Sequence, residues 1–274
     1  MAARKVFVIL LGLSGSGKSA TGNTILGKKE FHSRRSTMPT TNKVQEKTSM
    51  LPDGSEIVVI DTPPLMNPNH EDLTPGQVVS EILKGTTYAN TGLNAIVLTI
   101  NANDRMTKEH ADSIKWLYFL FGEENIAKYG IVLFTRMDQL DADDMSFDDF
   151  RKEVPQCLSD LINKCGGRCI AFDNTVQSED SKTTPQVSKL INIIRQINEK
   201  NGSCMLHNIE QRVGKVVDLE QGCRVVEIER EGFVVIEFVY SALDYVYRGL
   251  VGMWDTLWHV LGYDVPNREL TSEV

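Results

Sequence analysis

The stretch Lys5-Val-Phe-Val-Ile-Leu-Leu-Gly-Leu-Ser-Gly-Ser-Gly-Lys-Ser19 decides the fold. Its second half, Gly12 to Ser19, has the spacing G-x-x-x-x-G-K-[ST], directly behind an apolar run and ahead of a helical pattern. Glycines at these places let the backbone wrap a polyphosphate with its N–H groups turned inward. The lysine, Lys18, reaches the β- and γ-phosphates, and the Ser19 hydroxyl supplies an oxygen to Mg²⁺. The helix that follows aims its positive end at the anion. Gly12, Ser14, Gly15, Ser16, Gly17, Lys18, Ser19 and Ala20 are therefore the candidate phosphate-binding residues. The same motif settles the N-terminus. Arg4 and Lys5 ahead of an apolar run look like a short signal peptide, but a phosphate loop needs a buried strand there.

Outward from the loop, Val58-Val-Ile-Asp61 is an apolar strand ending in a carboxylate, where an acid behind a phosphate loop holds Mg²⁺. Asp61 and Ser19 are thus candidate metal ligands. A later strand runs through Phe134 into Thr135-Arg136-Met137-Asp138. Guanine offers two donors, N1 and N2, that one carboxylate can accept together, and adenine has no such pair. Asp138 in this place selects guanine. Arg136 can lay its stem or planar head along the base, and Asn174 sits at the end of the last strand, where a third base-contacting loop is expected.

Apolar runs alternate with helical patterns along the chain. Strands are expected at Lys5–Leu11, Val44–Leu51, Glu56–Asp61, Leu93–Asn101, Tyr129–Thr135 and Arg168–Phe172. Helices are expected at Gly17–Gly27, Thr74–Thr86, Thr107–Phe121, Ser146–Lys164 and Pro185–Lys200. This order implies a P-loop NTPase fold of the α/β class: three layers, with a mostly parallel central sheet covered on both faces. The 274 residues allow one domain or two, read here as a nucleotide-binding domain over 1–200 and an extension over 201–274. Hydrophobic residues at 41% and charged residues at 24% suit a globular chain. A net charge of −8 disfavours nucleic acid as a partner. Five dispersed cysteines suit a reducing, cytoplasmic setting, and Cys165 and Cys169 lack the spacing of a zinc site. The acidic run Asp141–Asp149 lacks the glycine and closing glutamate of a calcium loop.

With these motifs in place, the sequence resembles the GTPases of immunity-associated proteins (GIMAP), the avirulence-induced-gene type of G domain, over roughly residues 5 to 201. The likeness rests on Gly12–Phe31, with Thr-Gly-Asn-Thr-Ile-Leu-Gly behind the phosphate loop, and on Phe31-His-Ser33 followed by Thr41. It rests also on Asp61-Thr-Pro63, Leu93–Gly122, Phe134-Thr-Arg136 and Phe172-Asp-Asn174. The resemblance implies GTP or GDP with Mg²⁺ as ligand and Thr41 as a sensor of the γ-phosphate and metal, catalytic together with Lys18. It implies Asp138 and Asn174 at the base, homo-oligomerisation across the nucleotide face, and membrane-associated scaffolds.

The chain departs from that family at Pro64, where the pattern Asp-Thr-Pro-Gly places a glycine whose N–H meets the γ-phosphate. Proline has no N–H. Leu65 follows where a water-orienting glutamine often stands. Pro64 predicts a weakened preference for GTP over GDP, and Leu65 predicts slow or partner-dependent hydrolysis, with His70 and Arg105 as candidate donors from a dimer partner. Two function classes stay open: a GTP-binding switch with weak GTPase activity, and a nucleotide-stabilised oligomeric scaffold. An ATP-dependent small-molecule kinase is a weaker third. In the extension, Ile236, Val239, Leu243, Val246, Leu250, Met253, Leu257 and Val260 form a heptad seam, so a mainly helical segment is expected. It would pack on the G domain, on another copy or, through Trp254, Trp258 and Tyr263, on a membrane surface. A hairpin of Val225–Ile228 and Val234–Phe238 is the alternative.

Overall fold

The computed structural model describes residues 5–33, 41–65, 75–89, 91–137, 145–175, 185–202, 217–218, 223–230 and 233–240. The chain divides into two units, Met1–Glu210 and Gln211–Val274. In the first, the order is β1 (Lys5–Leu11), α1 (Lys18–Leu26), β2 (Gln45–Met50), β3 (Glu56–Asp61), α2 (Pro75–Tyr88), β4 (Ala95–Asn101), α3 (Lys108–Phe121), α4 (Glu123–Tyr129), β5 (Gly130–Thr135), α5 (Phe147–Glu153), α6 (Gln156–Lys164), β6 (Cys169–Phe172) and α7 (Pro185–Asn201).

These strands form one sheet in the order β2-β3-β1-β4-β5-β6, and only β2 runs antiparallel. Every residue of β4 and β5 is buried, as are all of β1 after Lys5 and all of β3 after Glu56. Strands this apolar need cover on both faces, and α1 and α2 supply it from opposite sides. A Cβ on Gly22 of α1 would lie 3.4 Å from Leu10, whereas one on Gly85 of α2 would lie 3.0 Å from Ile60 and 3.8 Å from Ile9. Ile9 and Ile60 are paired in register, and Leu10 points the other way because side chains alternate along a strand. The edge strand β2 carries exposed Gln45, Glu46, Thr48 and Met50, a mostly polar border that discourages pairing with another sheet.

Consecutive strands lie on either side of β1, β3 on one flank and β4 on the other. Parallel sheets bind ligands at such a reversal, outside the carboxyl ends of the strands. That edge gathers Gly12 after β1, Asp61 ending β3, Thr99 and Asn101 near the end of β4, and Thr135 ending β5.

Three expectations need correction. The single helix Ser146–Lys164 is two, α5 and α6, broken at Val154-Pro155. Both residues are extended, with ψ 146° and 152°, because proline disfavours helical geometry in the residue before it. The helix α4 is absent from the sequence reading. Gly122, at φ 76°, turns the chain out of α3, and Glu123 and Glu124 start a new helix favoured by its dipole. The described part of the extension is strand, not helix: β7 (Val217–Asp218), β8 (Cys223–Arg230) and β9 (Phe233–Tyr240) form an antiparallel sheet in that order. Ile236 and Val239, read as heptad positions, lie in β9, in the hairpin that was the alternative. A β-branched and aromatic run such as Phe-Val-Val-Ile favours a pleated surface, and that local preference prevails over the three-four spacing. The remaining heptad residues, Trp254, Trp258 and Tyr263 lie outside the described residues.

Asn23 secures the junction between α1 and the chain that follows it. Asn23 accepts the N–H groups of Glu30 and Phe31 at 2.8 Å each and donates to the Phe31 carbonyl at 2.9 Å. Gly22 leaves room for the Phe31 ring, which a Cβ there would meet at 2.7 Å. The Gly22-Asn23 pair thus ties the chain leaving α1 back onto that helix. An Asn23→Ala variant strands backbone groups, two of them buried, at about 1–3 kcal/mol for each group left unsatisfied. A urea-unfolding midpoint that shifts down by the equivalent of about 2 kcal/mol or more is the expected outcome, and an unshifted midpoint contradicts it.

Candidate functional site

The loop Gly12–Ser19 is shaped by its first and last glycines. Gly12 has φ 148°, and a Cβ there would meet the Thr99 carbonyl at 2.5 Å, so only glycine fits. Gly17 has φ 93° and starts α1 with no side chain capping the helix. The first-turn N–H groups of α1 therefore remain without a side-chain acceptor, which is the arrangement that receives an anion. Ser14 and Gly15 form the exposed crest, and Ala20 is half-buried in the first turn of α1.

Lys18 is buried and spans the loop. Its ammonium donates to the carbonyls of Gly12 at 3.0 Å and Leu13 at 2.9 Å. Burial pushes its pKa down to about 8, against the opposing pull of Asp61. Asp61 is buried as well, and burial raises its carboxyl above the usual range despite the Ser19 hydroxyl, the Lys18 charge, the Thr41 hydroxyl and the nearby Thr62 N–H. Oδ2 of Asp61 accepts from Ser19 at 2.7 Å and from Thr41 at 3.4 Å, and those two hydroxyls are 3.3 Å apart. Oδ1 is buried with no hydrogen-bond partner. A buried carboxylate oxygen left without a partner needs a physical reason, and a hard cation is the simplest. Ser19, Thr41 and Asp61 offer hard oxygen donors, the set Mg²⁺ accepts alongside substrate phosphates rather than in an all-protein cage. No group of three or more His, Cys, Asp or Glu that could form such a cage occurs among the described residues.

Residues outside the phosphate-loop motif hold it in place. Ser16 is turned away from the crest, its Oγ 2.8 Å from the Thr99 hydroxyl, which donates to the Leu11 carbonyl at 2.9 Å. The Thr62 hydroxyl donates to the Leu10 carbonyl at 2.7 Å. Thr135, expected at the base, spends its hydroxyl on the Ser16 carbonyl at 2.9 Å. Threonines at or just after the ends of β3, β4 and β5 thus fasten the loop and the strand that feeds it, a role legible only as a polar residue inside or just after an otherwise apolar buried run.

Around the expected base pocket, Arg136 is exposed and has φ 60°, a left-handed turn straight after β5. Asp138 and His70 lie outside the described residues. Asn174 is engaged by α1: it donates to the Thr21 hydroxyl at 3.0 Å and accepts from Thr24 at 2.8 Å. Gln186 on α7 grips the backbone of Asp173 on both sides, at 2.8 Å and 2.7 Å, so this loop is held from two helices. Pro63, Pro64 and Leu65 are buried, and the Leu65 N–H donates to the Gly12 carbonyl at 3.0 Å. Arg105 is exposed on the loop before α3.

A glycine-shaped anion loop at the carboxyl edge of a mostly parallel sheet, with a strand-end carboxylate beside its serine, defines a P-loop nucleoside-phosphate-binding domain. Within that class the chain belongs to the AIG1 family, whose model matches residues 6–220. It is 36% identical over 197 residues to immune-associated nucleotide-binding protein 10 of Arabidopsis thaliana, covering 71% of this chain and 41% of that protein. It is 33% identical over 210 residues to GTPase IMAP family member 8 of Mus musculus, covering 76% of this chain and 30% of the other. The chain spans about half the length of the curated relatives it matches. Its fold is shared with Toc33 from Arabidopsis thaliana, solved in complex with GDP and Mg²⁺, at TM-score 0.55 and 17% identity over 73% of this chain and 86% of that one. It is also shared with Era from Aquifex aeolicus, at TM-score 0.50 and 15% identity over 94% and 90%.

The buried lysine carries a pH signature. Its folded pKa of about 8 lies below the ordinary 10.5, so the unfolded chain binds more protons between those values. Wild type should therefore gain stability relative to Lys18→Met as pH rises from 8 towards 10.5, and a difference that stays flat in paired chemical denaturations contradicts it.

Proposed function

We propose that this chain is a guanine-nucleotide-binding domain that takes GTP or GDP with Mg²⁺ in the Gly12–Ser19 loop and hydrolyses GTP slowly. The observation that carries the reading is the unpartnered Oδ1 of Asp61, buried beside the Ser19 and Thr41 hydroxyls at the mouth of an anion loop. Mg²⁺, when bound, supplies positive charge to the phosphate oxygens. Ser19, Thr41 and Asp61 would hold it. Lys18 trades its two carbonyl contacts for phosphate oxygens and, with the loop amides, balances the negative charge that develops in transfer. Asp138 would accept the N1 and N2 donors of guanine. Thr135 and Asn174 would act at one remove, by fixing the phosphate loop and α1, and Arg136 would flank the base. The family membership and the relatives named for nucleotide binding and GTPase activity support the same reading.

Slow turnover follows from Pro64 and Leu65. Pro64 has no N–H for the γ-phosphate, and the next N–H, that of Leu65, is spent on Gly12. The buried aliphatic side chain of Leu65 cannot orient water by hydrogen bonding. The same two residues favour the second reading, a nucleotide-stabilised oligomeric scaffold with little or no turnover. Dimerization is described as important for the GTPase activity of the chloroplast translocon components atToc33 and psToc159, which supports a homo-oligomer across the nucleotide face here. A single-turnover hydrolysis assay separates the two readings.

Calorimetric titration in Mg²⁺ tests the binding. GTP and GDP should bind and ATP should compete at least about tenfold less well, the discrimination expected of hydrogen bonds to a base edge. Lys18→Ala should remove most of the affinity. Pro64→Gly should raise the preference for GTP over GDP by roughly ten- to a hundredfold, the equivalent of about 1.5–3 kcal/mol for a hydrogen bond to a charged group. An unchanged preference would sink the role given to Pro64.

A further inference from the structure

The helix α2 holds the end of the segment that carries Thr41. Glu81 Oε2 accepts the Val44 N–H at 3.0 Å, and the other oxygen of the same carboxylate takes Lys84 Nζ at 2.6 Å. Only 13% of the Glu81 side chain is exposed. One turn further on, Gly85 closes the contact: a Cβ there would lie 2.8 Å from Val44 Cγ2 and 3.0 Å from Ile60 Cγ2. Helix and chain therefore meet both by a charge-assisted hydrogen bond and by backbone-close packing. Val44 stands just ahead of β2, whose first ladder pair joins Gln45 to Asp61 itself. Three residues before Val44 is Thr41, whose hydroxyl reaches Asp61 and Ser19.

Among the described residues after β3, Pro63 and Pro64 have no N–H and the Leu65 N–H is committed to Gly12, which leaves little there with which to read a γ-phosphate. That discrimination then falls on Thr41, and Thr41 is only as well placed as the chain behind it. We propose that Glu81 is a positioning residue for Thr41, and that the preference of this site for a triphosphate over a diphosphate depends on the grip of α2 on Val44. The inference rests on the guanine-nucleotide reading above and names how that site tells its two ligands apart. Lys84 plays no part in it, since its bridge to Glu81 is exposed on the lysine side and such pairs contribute little.

The test is a set of affinities for a non-hydrolysable GTP analogue and for GDP, both in Mg²⁺, across wild type, Glu81→Ala, Glu81→Gln and Lys84→Ala. Glu81→Ala should weaken the GTP analogue by about five- to tenfold, less than the loss of a direct charge-assisted hydrogen bond because Glu81 acts through Thr41, and leave GDP within about twofold. Glu81→Gln keeps an oxygen acceptor for Val44 and should bind both ligands within about twofold of wild type, as should Lys84→Ala. With Mg²⁺ chelated, the gap between Glu81→Ala and wild type should close. GDP affinity doubles as the check that each variant is folded. Equal losses for both ligands, no loss for either, or a Gln variant as impaired as the Ala variant overturns the positioning role. A wild-type chain that binds neither nucleotide overturns the function proposed above, and this inference with it, and is told apart by appearing before any substitution is made.

Discussion

Two opposite charges buried at one edge of the sheet set the terms for the rest of this molecule. Lys18 is shielded from water by its own loop and satisfied by two carbonyls, while Asp61 keeps one oxygen with no partner. Burying either charge is costly, and removing one partner of such a pair is costlier still. Such an arrangement makes sense where a bound ligand completes it: a polyphosphate for the ammonium and the loop amides, a hard cation for the carboxylate. The opposed pKa shifts of the two groups have this same origin, burial acting against charge on each. Perturbed groups of this kind cluster at functional sites.

The scaffold around that pair is built to stop the loop from relaxing. Thr99 and Thr135 lie in β4 and β5 and Thr62 directly follows β3, and each donates a hydroxyl to a backbone carbonyl of β1 or of the loop that follows it. Buried hydroxyls find partners because leaving them bare is expensive; here the partners are chosen so that the strand ends and the anion loop form one unit. Asn23, Gln186 and Glu81 do the equivalent for the surrounding segments, each gripping backbone groups of a neighbouring loop. The anion loop is tied to the strand ends, and the described ends of the flanking segments are held by helix side chains.

How much of this could be read from the amino-acid order alone depends on the range of the interaction. The phosphate loop, the strand-end Asp61 and the alternation of strands and helices are local patterns, and they reappear in the fold. Pro155 is an equally local signal, and it splits the stretch expected as one helix, Ser146–Lys164, into α5 and α6. The threonine fasteners join residues such as Ser16 and Thr135, 119 positions apart, and no local window contains both. The Glu81–Val44 bond likewise spans 37 positions and depends on Gly85 allowing close approach. In the extension, β-branched residues at three-four spacing satisfy a helical and a strand template together, and pairing of β8 with β9 decides between them.

A nucleotide held in the Gly12–Ser19 loop would carry its cation between Ser19 and Asp61. The most direct measurement is a crystal structure of the chain with GDP and Mn²⁺ in place of Mg²⁺, located by anomalous scattering. One strong peak is expected within about 2–2.5 Å of the Ser19 hydroxyl and beside the Asp61 carboxylate, with the β-phosphate over the α1 N-terminus. A peak elsewhere, or a nucleotide bound away from this loop, contradicts it.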